Sequence, residues 1–143
     1  MREIKFRGKR LDNGNWVYGD LRQENSGRKV IMTNLNTWGD NADDIEPYGE
    51  DVYVNTETVG QFTGLHDNKG NEIYEGDILQ LDYITTIGKH RIGISCEVKW
   101  CSQEGRWVGF DGFVENALQQ THKMFVVKGN IHDNPELMEG GEK

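Results

Sequence analysis

Apolar residues occur in short alternating runs along this chain, broken by Gly, Asn and Asp, and the pattern predicts strands and hairpins. Between Arg2 and Arg10, Ile4, Phe6 and Gly8 alternate with Lys5, Arg7 and Lys9, which predicts a half-buried strand with a basic outer face. Asp12-Asn13-Gly14-Asn15 is a hairpin turn signal, Trp16, Val17 and Tyr18 form the return strand, and Gly19-Asp20 is expected to end it. Asn25-Ser26-Gly27 predicts a further turn before a strand over Lys29 to Met32. The segment Asn34 to Asp51 is polar and acidic, has no period, and predicts a long surface loop. Val52, Tyr53 and Val54 restart the apolar pattern.

The stretch Val59 to Leu81, VGQFTGLHDNKGNEIYEGDILQL, is the centre of the pattern. Two apolar runs flank HDNKGN, in which Asp and Asn bond their own backbone and Gly accepts a positive φ. A hairpin with a loop longer than two residues is expected there. His90 to Trp100 is the clearest strand, with Ile92, Ile94, Cys96, Val98 and Trp100 expected on one face. Ser102-Gln103-Glu104-Gly105 turns the chain into a return strand holding Trp107, Val108 and Phe110. Val114, Ala117, Leu118 and Thr121 sit at helical spacing and predict a short helix between Phe113 and Thr121. Met124 to Val127 predicts a last strand. Asn134-Pro135-Glu136 reads as a cap followed by a proline at the first helical position, opening one final turn.

The two hairpins also echo one another. With Phe6 placed on Phe62, Gly8 falls on Gly64, Gly14 on Gly70, Asn15 on Asn71 and Tyr18 on Tyr74. Internal duplication and the local recurrence of turn chemistry both account for this, and both readings stay open.

Length and composition narrow the class. A chain of 143 residues with Gly 18 and Pro 2 suits one domain of short strands, or two intertwined halves, 1–58 and 59–143. The net charge of −8 counts against non-specific binding to a phosphate backbone. No apolar run reaches membrane-spanning length and no signal-peptide pattern opens the chain, so no membrane partner is expected. Two cysteines, Cys96 and Cys101, are too few for a disulfide scaffold and predict reduced thiols.

No residue set carries a catalytic signature. Cys96 and Cys101 lack a second close pair for zinc, and neither has an activating neighbour. Asp40 to Glu46 lacks the spacing and the Gly of a calcium loop. No glycine-rich phosphate loop is present, and no Ser-His-Asp spacing stands out. The expectation is no catalytic residue, no metal and no cofactor. One binding hint remains: Lys5, Arg7 and Lys9 on one strand face, with Arg2 and Arg10 nearby. Trp16 and Tyr18 on the next strand add aromatic rings, a combination that can grip single-stranded nucleic acid. The competing reading is an ordinary basic face with its aromatics turned into the core.

The stretch TVGQFTGLHDNKGNEIYEGDIL resembles the YopX family, small proteins typical of bacteriophages and prophages. The opening MREIKFRG, the spacing from Glu75-Gly76-Asp77 to Trp100, and the closing VKGNIHDNPELM resemble it too. The resemblance covers both ends and the middle, and no family motif falls in the acidic segment. It implies a mainly β fold with SH3-like barrel character in the second half. It brings no activity and no catalytic residues. Together with the composition, it leads to the expectation of a non-enzymatic module in the cytoplasm of a bacterial host cell. The partner expected is a protein, a second copy of the chain included. A nucleic-acid-binding module, using the SH3-like half or the basic first strand, is the alternative.

Overall fold

A computed structural model describes residues 3–33 and 51–139. The chain is mainly β and divides after Gln61 into two compact units. The expected loop Asn34 to Asp51 lies outside the described residues except for Asp51, which opens a strand.

In the first unit, β1 (Phe6–Lys9), β2 (Trp16–Gln23), β3 (Lys29–Met32) and β4 (Asp51–Val54) pair antiparallel in the order β4-β3-β2-β1. The opening of β5 (Gly60–His66) joins the other edge of β1. The β1–β2 turn is built as its residues require: Gly14 has φ 76°, and the Asn15 N–H donates to Asn13 Oδ1 at 2.8 Å. β2 does not end at Gly19-Asp20. It runs on and changes partner, its first half pairing with β1 and its second with β3. Gly19 permits this because a Cβ there would lie 2.1 Å from the Met32 carbonyl oxygen. Ile31, Val52 and Val54 form the core, with Phe6, Val17, Leu21 and Val59 packed on it.

In the second unit β5 continues into a hairpin with β6 (Glu72–Tyr74). β7 (Asp77–Ile84), β8 (His90–Cys101), β9 (Arg106–Phe110), β10 (Glu115–Ala117) and β11 (Phe125–Asn130) form an antiparallel sheet in the order β10-β9-β8-β7-β11. The sheet is open: β10 and β11 are its edges and do not meet, so the SH3-like barrel expected for this half is not closed. Its core joins Ile73, Leu79, Cys96, Val98, Leu118 and Phe125. The expected helix shrinks to one turn, α1 (Leu118–Thr121), because Glu115–Ala117 pairs with β9 instead. The final turn, α2 (Glu136–Glu139), follows Asn134 and Pro135 as the sequence predicts, with the Leu137 N–H bonded to the Asn134 carbonyl.

Two buried polar groups hold this unit together. Asp67, in the HDNKGN turn, has no solvent-accessible surface. Its Oδ1 accepts from the Lys69 and Asn71 N–H groups at 2.9 and 2.8 Å. Its Oδ2 accepts from Asn71 Nδ2 at 3.0 Å and from the Val127 N–H of β11 at 2.9 Å. One carboxylate therefore shapes the turn and ties it to the sheet. Burial opposes its charge, but these hydrogen bonds prevail and hold its pKa below the ordinary carboxylate value. At the other end of β11, Asn130 Oδ1 accepts from the His132 and Asp133 N–H groups, while Asn134 Oδ1 takes the Asn130 N–H. A Cβ on Gly129 would lie 2.4 Å from that Asn134 oxygen. The physical content of GNIHDNPEL is thus an Asn-stapled turn pressed onto a glycine.

Candidate interaction surfaces

The open sheet leaves one feature unsupported. β9 pairs with β8 only from Glu97 to Cys101, and β11 reaches along β7 only to Leu81. Beyond those limits no other strand among the described residues pairs with β7 or β8, which continue as a two-stranded arm, residues 82–94, tied at its base by Asn68 Nδ2 donating to the Asp82 carbonyl. Within the arm the strand register slips. Gln80 pairs with Ser95 but Asp82 with Ile92, so β8 carries one extra residue there. The bulge turns Ile92 away from the face that Cys96 and Val98 occupy, so the expected single apolar face of β8 is split. Cys96 and Val98 are buried, whereas Ile92, Ile94 and Trp100 are exposed. A Cβ on Gly93 would lie 2.8 Å from the Leu81 side chain, which is why the bulge holds a glycine.

Past the bulge, Asp82, Ile84, His90 and Ile92 share one face of the arm, given the pairs Asp82–Ile92 and Ile84–His90. Ile84 is 69% exposed, Ile92 61%, and Ile87 at the tip 84%. The tip is a defined structure: the Thr85 N–H donates to the Lys89 carbonyl, the Lys89 N–H to Thr85 Oγ1, and Gly88 sits at φ 85°. Asp82 Oδ1 and His90 Nε2 are 2.7 Å apart, and that hydrogen bond lowers the Asp82 pKa.

A second exposed apolar site lies in the β9–β10 turn of the same sheet. Phe113 is 91% exposed and Val114 55%. Asp111 Oδ1 accepts the N–H groups of both, at 2.8 and 2.9 Å, with Gly112 at φ 102°. Those bonds lower the Asp111 pKa and fix the turn that presents Phe113 to water. Both sites hold exposed apolar side chains on hydrogen-bonded turns, which makes them the candidate contact surfaces among the described residues.

The basic first strand is arranged differently from its sequence pattern. Arg7 is only 6% exposed, and its guanidinium lies 4.5 Å from the centre of the Trp16 ring. The Lys9 ammonium lies over the same ring at 5.6 Å, and Lys5 pairs with Glu3 at 3.5 Å. Trp16 and Arg7 are thus brought together, with the aromatic face given to cations of the same unit. Beside this strand a shallow cavity of about 370 Å³ lies against Arg10, Arg28 and Tyr53. Arg10 is held bidentate by Asp12, both contacts at 2.9 Å, and Arg28 stacks 3.8 Å above the Tyr53 ring.

The cysteines are both free and buried. Burial, with a smaller contribution from Asp111, pushes the Cys96 thiol up to about 12, which makes it a poor nucleophile and a poor ligand near neutral pH. Among the described residues no helix is long and apolar enough to cross a membrane. The sequence missed the arm and the Phe113 turn as surfaces. Their exposure follows from where β9 and β11 stop, which no local signal encodes.

A family model described as YopX protein matches residues 5–139. Among solved structures, the crystal structure of protein EF1440 from Enterococcus faecalis is similar, with 28% sequence identity and a TM-score of 0.59. The match covers 96% of this chain and 99% of that one. No curated protein matches.

Proposed function

We propose a function from the premise that this chain belongs to the YopX family: it is an accessory protein of the phage or prophage kind that works by protein–protein contact and not by catalysis. The observation that carries the reading is the exposed, apolar β7–β8 arm with its hydrogen-bonded tip. Ile87 is exposed at the hydrogen-bonded tip, and Ile84 and Ile92 are exposed on one face of the arm behind it. A preorganised apolar anchor loses little entropy on docking, so it binds better than a floppy one of equal area. The buried, reduced thiols fit a bacterial cytoplasm. The nucleic-acid reading has less to stand on, since Arg7 is buried and Trp16 is already stacked.

The test is to compare the wild type with Ile87→Lys/Ile92→Lys as bait in host extract, after checking that both melt alike. The reading expects a protein held by the wild type and lost by the variant. Equal retention by both, or no retained protein and no self-association by either, overturns it.

A further inference from the structure

We infer that the partner of the arm is a second copy of this chain, in a two-fold dimer. The tip of each arm, Ile87 and Lys89, seats on the other copy's β9–β10 turn, Asp111, Phe113 and Glu115, and the apolar face behind it, Ile84 and Ile92, lies along the overlap. This deepens the interaction-module reading and rests on it.

Three observations carry the inference. The first is complementary charge. Lys89 and Arg91 against Asp82 give residues 82–94 a net charge of +1, so the remainder carries −9 where the whole chain carries −8. The β9–β10 turn holds Asp111 and Glu115 and no cation between Asp111 and Ala117. An apolar basic tip and an apolar acidic turn therefore sit on one molecule. A two-fold axis brings each to the other twice over, because in such a contact residue i meets j and j meets i.

The second is position within the sheet. β9 ends at Phe110 opposite Glu97, so its turn to β10 lies at the level where β8 loses its neighbour. From there β8 runs on to His90, a reach of roughly 20 Å at strand rise. The sheet thus has a step, with the acidic turn at its base and the basic tip at its crest. Two such steps, turned head to tail, fit together with each tip on the opposite base. The bulge at Gly93 falls midway along the overlap and spoils a flat edge for open-ended strand pairing. It favours a closed contact held at its two ends.

The third is area. Phe113 and Ile87 are nearly fully exposed, and Ile84, Ile92 and Val114 more than half. At roughly 100–150 Å² each, counted on both copies, they supply about 1,000–1,500 Å², the lower range of specific interfaces. An interface of that size suits a reversible dimer rather than an obligate one.

Sedimentation velocity of the full chain over a concentration series tests this, with circular dichroism confirming the fold of each variant. The wild type should move from 16.4 kDa toward twice that mass. Phe113→Ser should abolish the shift. Lys89→Glu or Glu115→Lys alone should weaken it about tenfold, and the two together should restore it, as complementary charge requires. A dimer indifferent to all four variants overturns the inference. So does a wild type monomeric into the millimolar range. If that monomer still captures a host protein through Ile87 and Ile92, the self-pairing fails and the interaction-module reading stands. If it captures none, both fail.

Discussion

Removing the Asp67 carboxylate should be among the most damaging single changes in the second unit. Asp67→Ala strips the acceptor from three backbone N–H groups and one side-chain amide at a point with no solvent-accessible surface. The Lys69 and Asn71 donors sit near water and recover part of the loss. Each costs about 0.5–1 kcal/mol. The Val127 N–H lies within β11 and is left without an acceptor beside the sheet, at about 1.5–3 kcal/mol for a bond to a charged partner. The total is about 3–6 kcal/mol, a large share of the roughly 5–15 kcal/mol that holds a domain of this kind. Urea unfolding read by tryptophan fluorescence measures it as a shift of midpoint at constant slope. Asp67→Asn keeps one oxygen and should lose about half as much.

The pH dependence follows from the same geometry. The folded pKa is depressed relative to the unfolded value of about 3.9. The stabilisation is therefore complete above the unfolded pKa and is lost as pH falls through the folded one. The wild type should lose stability on acidification below about pH 4 more steeply than Asp67→Asn. A loss below about 1 kcal/mol for Asp67→Ala, or identical acid limbs for the wild type and Asp67→Asn, would refute the reasoning.

Other expectations rest on close contacts and burial. Gly129→Ala places a Cβ against Asn134 Oδ1 and should cost about 1–3 kcal/mol, whereas Gly129→Ala in an Asn134→Gly background should cost markedly less. Cys96, with its thiol pushed up to about 12, should resist a thiol reagent at pH 8 in the folded protein and react on unfolding; prompt labelling of the native state would contradict its burial. Gly93→Ala should disturb the bulge through Leu81 and raise amide exchange across residues 82–94, with little change in β9.

What could be read from the sequence was local. Asp12 to Asn15, HDNKGN and Asn134-Pro135 announce their turns because Asn, Asp, Gly and Pro act on their own backbone, and each turn formed where it was expected. Burial was harder. Period-two alternation assigns Arg7 to an outer face, but a tryptophan on the neighbouring strand covers it. The same rule puts Ile92 with Cys96, and one inserted residue at Gly93 separates them. The helical spacing of Val114 to Thr121 lost to strand pairing with β9. In each case the deciding partner is distant in sequence. The exposed apolar surfaces belong to this class, since an arm becomes an arm only where its neighbours stop.

The most direct test of the account is site-specific photo-crosslinking in the cell. A photoreactive amino acid is placed at Ile87 on the arm tip, at Phe113 in the β9–β10 turn, and at the exposed Gln103 in the β8–β9 turn as a control. The account predicts discrete protein adducts from positions 87 and 113, at twice the chain mass if the copies pair, and none above background from 103. Adducts no stronger at 87 and 113 than at 103 would contradict it.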